Sequence, residues 1–242
     1  MLWSGRLLVR LKGNKTSEPM LFDDWVDHYD QWFSTPIGVL VKKFEAELID
    51  QMLEPAEEEN LLDAGCGTGI FTLDFLQKGA RVTGIDISRL MLQKAISRCG
   101  RYAFYPIQGD ILYLPFKDHS FDKTVSITAL EFIASAKQAI AELFRVTRPG
   151  GLVVVATLNS LSPWTARRRA KTLMGQRHIL ENAIFRSPDE LLSCVNLQGK
   201  AATCIHFQKD EDPRKAIEIE CEGQRQNLNT GAFVAVRWQK PD

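Results

Sequence analysis

The sequence predicts an α/β domain in which helices cover both faces of a mostly parallel sheet. Short strand-like runs, such as Leu61–Leu62 and Val82–Ile85, alternate along the chain with segments of helical periodicity, as in repeated strand–helix units. The run Leu152–Ala156 is entirely apolar, which is typical of a strand buried on both faces of a parallel sheet. With 242 residues, of which 45% are hydrophobic, the chain is long enough to bury one full domain core.

A glycine-rich turn follows the first of these strands. Residues 63–69 read DAGCGTG, and the segment after them opens a helix. Glycine permits the sharp turn and lets a ligand approach the amides at the helix start. Dinucleotide sites use G-x-G-x-x-G here to hold a pyrophosphate, whereas this chain has G-x-G-x-G directly after the Asp63-Ala64 pair. Because a carboxylate repels phosphate, the turn favours a ligand with an ammonium group.

Two further acids follow later strands. Asp86 ends the second predicted strand, where an acid about 20 residues beyond the glycines accepts hydrogen bonds from ribose hydroxyls. More than one class of nucleoside cofactor uses such an acid, so the choice depends on the glycine spacing. Asp110 follows the third strand, Phe104–Gln108, within the stretch GDILYLPF at 109–116. A pyrophosphate site would give Asp110 no role.

These motifs, in this order, resemble class I S-adenosylmethionine-dependent methyltransferases over about residues 60–158. The match is best to the UbiE-like branch, whose members act on small molecules. The resemblance implies a Rossmann-like sheet of seven strands, mostly parallel, with the last strand antiparallel and inserted between the fifth and sixth. It implies S-adenosyl-L-methionine as the cofactor and methyl transfer to a small-molecule acceptor by in-line displacement, mainly through proximity and orientation.

The resemblance also implies which residues bind the cofactor. Asp86 would take the ribose hydroxyls, Asp110 the exocyclic amine of adenine, and the amide of Ile111 a ring nitrogen. Ile87 and Met91 would pack near the adenosine. The expected set is Asp63, Gly65, Gly67, Gly69, Asp86, Ile87, Met91, Asp110 and Ile111.

The loop after the fourth predicted strand reads ALEFI at residues 129–133. Enzymes that methylate nucleic-acid bases or glutamine amides typically carry an N-P-P-Y-like tetrapeptide here, and this chain does not. In the small-molecule members a histidine often stands near the position of Glu131. Glu131 therefore either positions or deprotonates a nucleophile, or makes a structural hydrogen bond at the strand end. No residue stands out as a catalytic base.

The N-terminal part is expected to precede the cofactor-binding core. Residues 1–19 predict a flexible extension, and translation starting at Met20 is a hypothesis. Residues 20–54 predict two helices; in the resembling family, such helices cover the cofactor and form one wall of the substrate pocket. Tyr29 and Trp32 either line that pocket or only pack, since aromatic residues at helical spacing usually belong to the core.

Residues 159–186 are a basic insert with no acid between Trp164 and Leu180. One interpretation is a solvated helix face. The other is a lid that draws an anionic substrate or a membrane-surface lipid to the pocket, and insertions after this strand commonly cap the substrate cavity in the resembling family. The basic residues of this acid-free stretch are Arg167, Arg168, Arg169, Lys171 and Arg177.

Residues 187–242 are expected to complete the sheet, so that 20–242 form a single methyltransferase domain. Ser187 carries helix-start signals, and strands are predicted at 201–207 and 232–238. The alternating stretch at 217–221 is compatible with a strand but has no assigned place.

Charge and cysteine usage limit the possible partners. Thirty basic and 30 acidic residues give a formal net charge of zero, so no general attraction to nucleic acid or to an anionic membrane is expected. The five cysteines have no C-x-x-C spacing and support neither a disulfide framework nor a zinc site. A cytoplasmic protein without a metal and without a transmembrane segment is the simplest interpretation.

Two other functions remain open at this point. A non-catalytic cofactor-binding module would retain the fold while the basic insert docks a partner or a membrane surface. An NAD-dependent oxidoreductase is disfavoured by the glycine spacing and by Asp63. The acceptor is expected to be a small molecule, anionic or lipid-like; its identity, the methylated atom and the oligomeric state are not indicated by the sequence.

Overall fold

The computed structural model describes residues 30–173 and 180–242, and the expected extension, Met20, Tyr29 and most of the first predicted helix lie outside these ranges. Within them, one sheet carries the fold. Its strands are β1 (Asn60–Ala64), β2 (Arg81–Asp86), β3 (Phe104–Gln108), β4 (Phe121–Ile127), β5 (Thr147–Leu158), β6 (Lys200–Cys204) and β7 (Phe233–Gln239). The helices are α1 (Pro36–Leu53), α2 (Thr72–Gln77), α3 (Arg89–Cys99), α4 (Ala136–Val146), α5 (Pro163–Leu173), α6 (Pro188–Leu192) and α7 (Pro213–Arg225).

The sheet has seven strands in the order β3-β2-β1-β4-β5-β7-β6. Strands β1 to β5 pair in parallel, whereas β7 runs antiparallel to both β5 and β6. The Rossmann-like sheet that the resemblance implied is therefore confirmed, including the insertion of β7 between β5 and β6. In such a sheet the crevice at the carboxyl ends of the strands, where the strand order reverses, is the usual ligand site. Here that point lies between β1 and β4.

Apolar layers on both faces of the sheet fix the helices in place. On one face α1 buries Val41, Phe44 and Leu48 against the sheet, and on the other α4 buries Ile140 and Leu143. Helical spacing of these side chains explains why the two helices form where the pattern predicted them. Across the two described ranges, no helix has the length and apolar character that a bilayer crossing requires.

In the C-terminal part, a stretch without an assigned place is helical and one predicted strand is shorter than expected. The stretch at 217–221 lies in α7, because Ala216, Glu220 and Gly223 follow helical spacing and are buried, and the alternating pattern was only apparent. Strand β6 ends at Cys204, not at residue 207, because Ile205 takes the left-handed conformation with φ 66° and turns the chain out of the sheet.

Candidate functional site

A cavity of about 900 Å³ opens at the carboxyl ends of β1, β2, β3, β4 and β5. Its size and position fit a ligand pocket of a doubly wound sheet. Among the expected residues, Gly69 does not line it, and Tyr29 lies outside the described residues. The expected residues that do line it are Trp32, Asp63, Gly65, Gly67, Asp86, Ile87, Met91, Asp110, Ile111 and Glu131.

The three glycines of the turn have different surroundings although all have positive φ, at +81°, +54° and +75°. A Cβ on Gly65 would lie 2.4 Å from the Cβ of Ala129, so this turn packs against the loop after β4. A Cβ on Gly69 would lie 3.0 Å from the Sγ of Cys99, so the absence of a side chain at Gly69 allows α3 to pack closely. A Cβ on Gly67 would meet no atom within 4 Å, because Gly67 faces the cavity. Gly67 therefore leaves room for a ligand, and Gly69 serves packing.

One carboxylate oxygen of Asp63 accepts a hydrogen bond, and the other has no hydrogen-bond partner among the described residues. Oδ2 accepts a hydrogen bond from Thr72 Oγ1 at 2.6 Å, whereas Oδ1 is buried and has no hydrogen-bond partner among the described residues. Burial, with a smaller contribution from nearby Asp86, raises the pKa of Asp63 to about 7. A buried oxygen of this kind normally has a donor. A ligand ammonium group would supply one.

Asp86 is held in place by the backbone of two loops. The N–H of Gly67 donates to Oδ2 at 2.9 Å, and the N–H of Ser88 donates to Oδ1 at 2.8 Å. Burial raises the pKa of Asp86, and these hydrogen bonds oppose that shift. Each carboxylate oxygen has a second lone pair, so the fixed group can still accept ribose hydroxyls.

Asp110 and Ile111 line the cavity from the loop after β3. The N–H of Leu112 donates to Asp110 Oδ1 at 2.9 Å, which leaves Oδ2 for a ligand amine. Ile111 is 8% exposed and belongs to the apolar core on that side of the sheet. The carboxylates, the open glycine and the apolar wall fit an adenosine-containing ligand with an ammonium group.

Two substitutions test the half of the cavity that Asp63, Asp86 and Asp110 line. We expect Asp86→Ala and Gly67→Ala each to weaken S-adenosylhomocysteine binding by about 1 kcal/mol or more, through a lost charge-assisted hydrogen bond or a methyl group in the ligand's space. Calorimetric titration measures the effect. Gly150→Ala is the matched control, because Gly150 also has positive φ but lies away from the cavity. Unchanged affinity in both variants would contradict the assignment.

A polar cluster that the sequence did not indicate ties the N-terminal segment to the glycine turn. Arg98 on α3 pairs with Asp30 at 2.7 Å, and Thr68 Oγ1 donates to Asp30 at 2.9 Å. Arg98 also donates to Thr68 Oγ1 at 2.8 Å. Since Trp32 and Phe33 follow Asp30 and line the cavity, the cluster holds this wall against the cofactor loop. Its members are 30 and more positions apart in sequence, so no local pattern marks them.

Asp30→Asn is expected to speed the release of S-adenosylhomocysteine about fivefold. The reason is that a partly exposed ion pair contributes roughly 1 kcal/mol. Without this pair, the segment that carries Trp32 and Phe33 would be held less firmly against the glycine turn. Stopped-flow displacement measures the rate. Asp50→Asn, which breaks an exposed pair with Lys78, should leave the rate unchanged, and equal release rates in all three proteins would show that the cluster is irrelevant to the ligand.

The second half of the cavity is apolar with a few charged groups. Trp32 lines it and also packs against the core, and its part in substrate binding stays a prediction. Glu131 makes a structural hydrogen bond at the strand end, where Oε1 accepts from the N–H of Leu158 at 2.8 Å, whereas Oε2 is buried with no hydrogen-bond partner in the described chain. An action of Glu131 on a nucleophile stays a prediction. Burial raises the pKa of Glu131.

Arg168 of the basic insert enters this half of the cavity. Trp164 anchors α5 by donating to the carbonyl of Phe207 at 2.7 Å, and Arg168 follows four residues later on the same helix face. The guanidinium lies 5.8 Å from the ring of Trp164 and 5.9 Å from that of Phe185. Its Nη1 is buried without a hydrogen-bond partner among the described residues, and burial lowers its pKa. The solvated-face interpretation is therefore wrong for Arg168, though Arg167 is exposed and pairs with Asp210 at 2.9 Å.

Glu45 on α1 also lines the cavity and was missed by the sequence analysis. It is 5% exposed, and burial raises its pKa to about 8. One signal marks it: Glu45 is four residues after Val41 and three before Leu48, which places it on the apolar stripe of the helix. A carboxyl group in that stripe must either be partnered or meet a cavity.

The fold and site together define an α/β protein that holds a nucleoside with an ammonium group at the carboxyl end of its sheet. The family model "Methyltransferase domain" matches residues 62–155. Malonyl-[acyl-carrier protein] O-methyltransferase of Salmonella typhimurium is 31% identical over 220 residues, which cover 82% of this chain and 84% of the relative. The chain belongs to the class I S-adenosylmethionine-dependent methyltransferases, UbiE-like branch, and the cofactor of this family is S-adenosylmethionine.

Two further comparisons agree with this assignment. The enzyme of the same name from Serratia marcescens is 32% identical over an alignment of 169 residues, which covers 61% of this chain and 66% of that relative, a little under two thirds of its length. A crystal structure of an S-adenosylmethionine-dependent methyltransferase from Thermotoga maritima has a TM-score of 0.66 with 22% identity, and covers 91% of this chain and 98% of its own. At that identity the likeness concerns the fold. The alternative of a non-catalytic module gains no support from these relatives, which are named as methyltransferases.

Proposed function

We propose that this protein transfers a methyl group from S-adenosylmethionine to a carboxylate oxygen of a small acyl group, of which a malonyl group on a carrier protein is the leading candidate. The observation that carries the proposal is the guanidinium of Arg168, which reaches a mostly apolar chamber with its Nη1 buried and without a hydrogen-bond partner in the described chain. A carboxylate matches the fork of a guanidinium and would supply the missing acceptor.

The chemistry of a carboxylate acceptor agrees with the lack of a catalytic base. When bound, the cofactor supplies a sulfonium-bound methyl group that is already electrophilic. The acceptor's oxygen would form a bond to that methyl carbon, and the electron pair of the broken carbon–sulfur bond would stay on sulfur. An ionised carboxylate has no proton to lose, so neither Glu45 nor Glu131 needs to remove one. The protein's contribution is to orient the two reactants and to exclude water.

The residues divide between the two reactants. Asp63, Asp86, Asp110 and the backbone around Gly67 would hold the cofactor, with Ile111 among its apolar contacts. On the acceptor side, Trp32, Trp164 and Phe33 would enclose the chain of the acyl group, and Arg168 would fix its carboxylate. Gly69 would act only through packing of α3.

The relatives from Salmonella typhimurium and Serratia marcescens support the choice of acceptor, since their names specify a malonyl group on an acyl-carrier protein. Such a group presents a free carboxylate at the end of a thioester. The mostly apolar acceptor chamber would bind the short acyl chain. A basic lid formed by residues 159–186 would attract the anionic acceptor. We propose that this lid is part of a single domain over residues 20–242, which follows an extension at residues 1–19.

A cytoplasmic location is part of the same proposal. Cys66, Cys99, Cys194, Cys204 and Cys221 are all free. Unpaired thiols of this kind are typical of reducing compartments.

The experiment is a methyl-transfer assay with methyl-labelled S-adenosylmethionine and malonyl-loaded acyl carrier protein. We expect label to appear on the malonyl group as a methyl ester, which mild base releases as methanol. Succinyl-loaded and acetyl-loaded carrier proteins serve as controls, and the acetyl form should take no label because it lacks a free carboxylate. Label that resists base, or label taken equally by the acetyl form, would contradict a carboxylate acceptor. Label on an added small amine would favour Glu45 and Glu131 as ligands of an ammonium group.

A further inference from the structure

Glu45 is a buried carboxyl group that the reaction described above does not use. Its side chain lies on the cavity side of α1, is 5% exposed, and has no hydrogen bond or ion pair within the described ranges. Native proteins rarely leave such a group without a partner, and replacing it with an apolar residue on the same stripe would fit α1 better. Its position in the acceptor half of the cavity indicates that the acceptor is the missing partner.

The charged and titratable neighbours of Glu45 come from each element that packs around it. Lys42 and Arg168 favour its ionised form and Glu131 opposes it, but burial outweighs them and raises the pKa of Glu45 to about 8. The carboxyl is therefore neutral at pH 7 and can donate one hydrogen bond. The neighbouring groups are Lys42 on α1, Glu131 after β4, Arg168 on α5, Cys204 on β6 and Lys209 after β6.

We propose that Glu45 determines specificity for an anionic acceptor: neutral Glu45 donates a hydrogen bond to the acceptor's carboxylate beside Arg168, and ionised Glu45 excludes that carboxylate. The inference rests on the proposed function. A carboxylate held between a guanidinium and a neutral carboxyl group has donors on two sides and no like charge against it. Once Glu45 ionises, it competes for Arg168 and repels the acceptor.

The consequence is a pH dependence of acceptor binding. The neutral fraction of a carboxyl group falls tenfold for each pH unit above its pKa. The acceptor KM of the wild-type protein should therefore be constant up to about pH 7.5 and rise roughly tenfold by pH 9, while kcat changes little, because an acceptor already bound is oriented by both groups.

The test measures kcat and KM for malonyl-loaded carrier protein between pH 6.5 and 9 at saturating cofactor. In Glu45→Gln, whose amide is neutral and still donates, the KM should stay flat over the whole range. Glu47→Gln is the matched control, because Glu47 is exposed two residues further along α1, and it should keep the wild-type rise. Glu45→Met, which fills the space without a donor, should show a raised KM that does not depend on pH. An alkaline rise that persists in Glu45→Gln and Glu45→Met would overturn the inference.

A second readout needs no turnover. Because ionisation of Glu45 is costly only in the folded chain, the folded state retains a proton that the unfolded chain releases near its ordinary carboxyl pKa, so stability falls as pH rises toward 8. The urea midpoint of the ligand-free wild-type protein should fall more between pH 6 and pH 8 than that of Glu45→Gln. If the wild-type protein forms no methyl ester at any pH, the proposed function fails; if it forms the ester with identical KM profiles in both proteins, only the role of Glu45 fails.

Discussion

Replacing Arg168 with methionine is expected to lower kcat/KM for malonyl-loaded carrier protein about 100-fold. Arg168 is the cation whose Nη1 is buried without a partner in the described part of the cavity, and a hydrogen bond to a charged group contributes about 2 to 3 kcal/mol, or one to two powers of ten. Methionine keeps much of the side-chain length and its packing between Trp164 and Phe185. Steady-state kinetics at saturating cofactor measures the loss.

The control distinguishes the loss of the charge at Arg168 from the loss of any one positive charge on the basic insert. Arg169 is the next residue on α5 and is exposed, so Arg169→Met should keep at least half of the wild-type kcat/KM. Calorimetry with S-adenosylhomocysteine should give the same affinity for all three proteins, since Arg168 is placed on the acceptor side. Comparable losses in both variants would point to general attraction by the basic insert, and no loss in either would remove Arg168 from acceptor binding.

The cofactor half of the site could be predicted from the sequence because its parts are local. A strand, a tight turn and a helix start bring Asp63 and Gly67 together within a few residues, and Asp86 ends the neighbouring parallel strand. In a doubly wound sheet, consecutive strands end at one edge. The order of these motifs along the chain therefore fixed which side chains meet, without knowledge of helix packing.

The acceptor half was not predictable in the same way, because three distant segments contribute to it. Glu45 comes from α1, Glu131 from the loop after β4, and Arg168 from α5. Each looks ordinary in its own segment: a carboxyl on an amphipathic helix, an acid at a strand end, one arginine among several. Only the packing of α1 and α5 over the same strand ends brings the three ionisable side chains into one chamber. Hydrophobic periodicity within each segment does not indicate how the helices pack against each other.

The cluster of Asp30, Thr68 and Arg98 shows the same limit at a smaller scale. Thr68 lies between two glycines of the turn, and nothing in that local pattern indicates that its hydroxyl donates to Asp30 and accepts from Arg98. The helical structure of residues 217–221 was not predicted for a different reason. Glu220 is buried in α7 because it accepts hydrogen bonds from the backbone and ring of His206 at 2.7 and 3.1 Å, so a polar residue occupied an inward position and imitated strand alternation.

The affinity for the cofactor is expected to rise with pH through neutrality, and Asp63 is the cause. Burial raises the pKa of Asp63 to about 7, and its Oδ1 has no hydrogen-bond partner among the described residues. An ammonium group pairs with the ionised form, so below pH 7 binding must first remove a proton from Asp63. The ionised fraction grows about tenfold between pH 6 and pH 8, and the Kd for S-adenosylhomocysteine should fall by the same factor.

Asp63→Asn tests this assignment directly. The amide is close in size, still accepts from Thr72, and cannot ionise, so its Kd should be higher than that of the wild-type protein at pH 8 and should change less than twofold between pH 6 and pH 8. Asp189→Asn, at an exposed acid in the first turn of α6, should keep the wild-type slope. A partial slope in Asp63→Asn would assign the remainder to Asp86, whose pKa burial also raises. If the Kd of Asp63→Asn changed with pH as much as that of the wild-type protein, the assignment would be wrong, because asparagine cannot ionise. The ammonium group would then bind elsewhere.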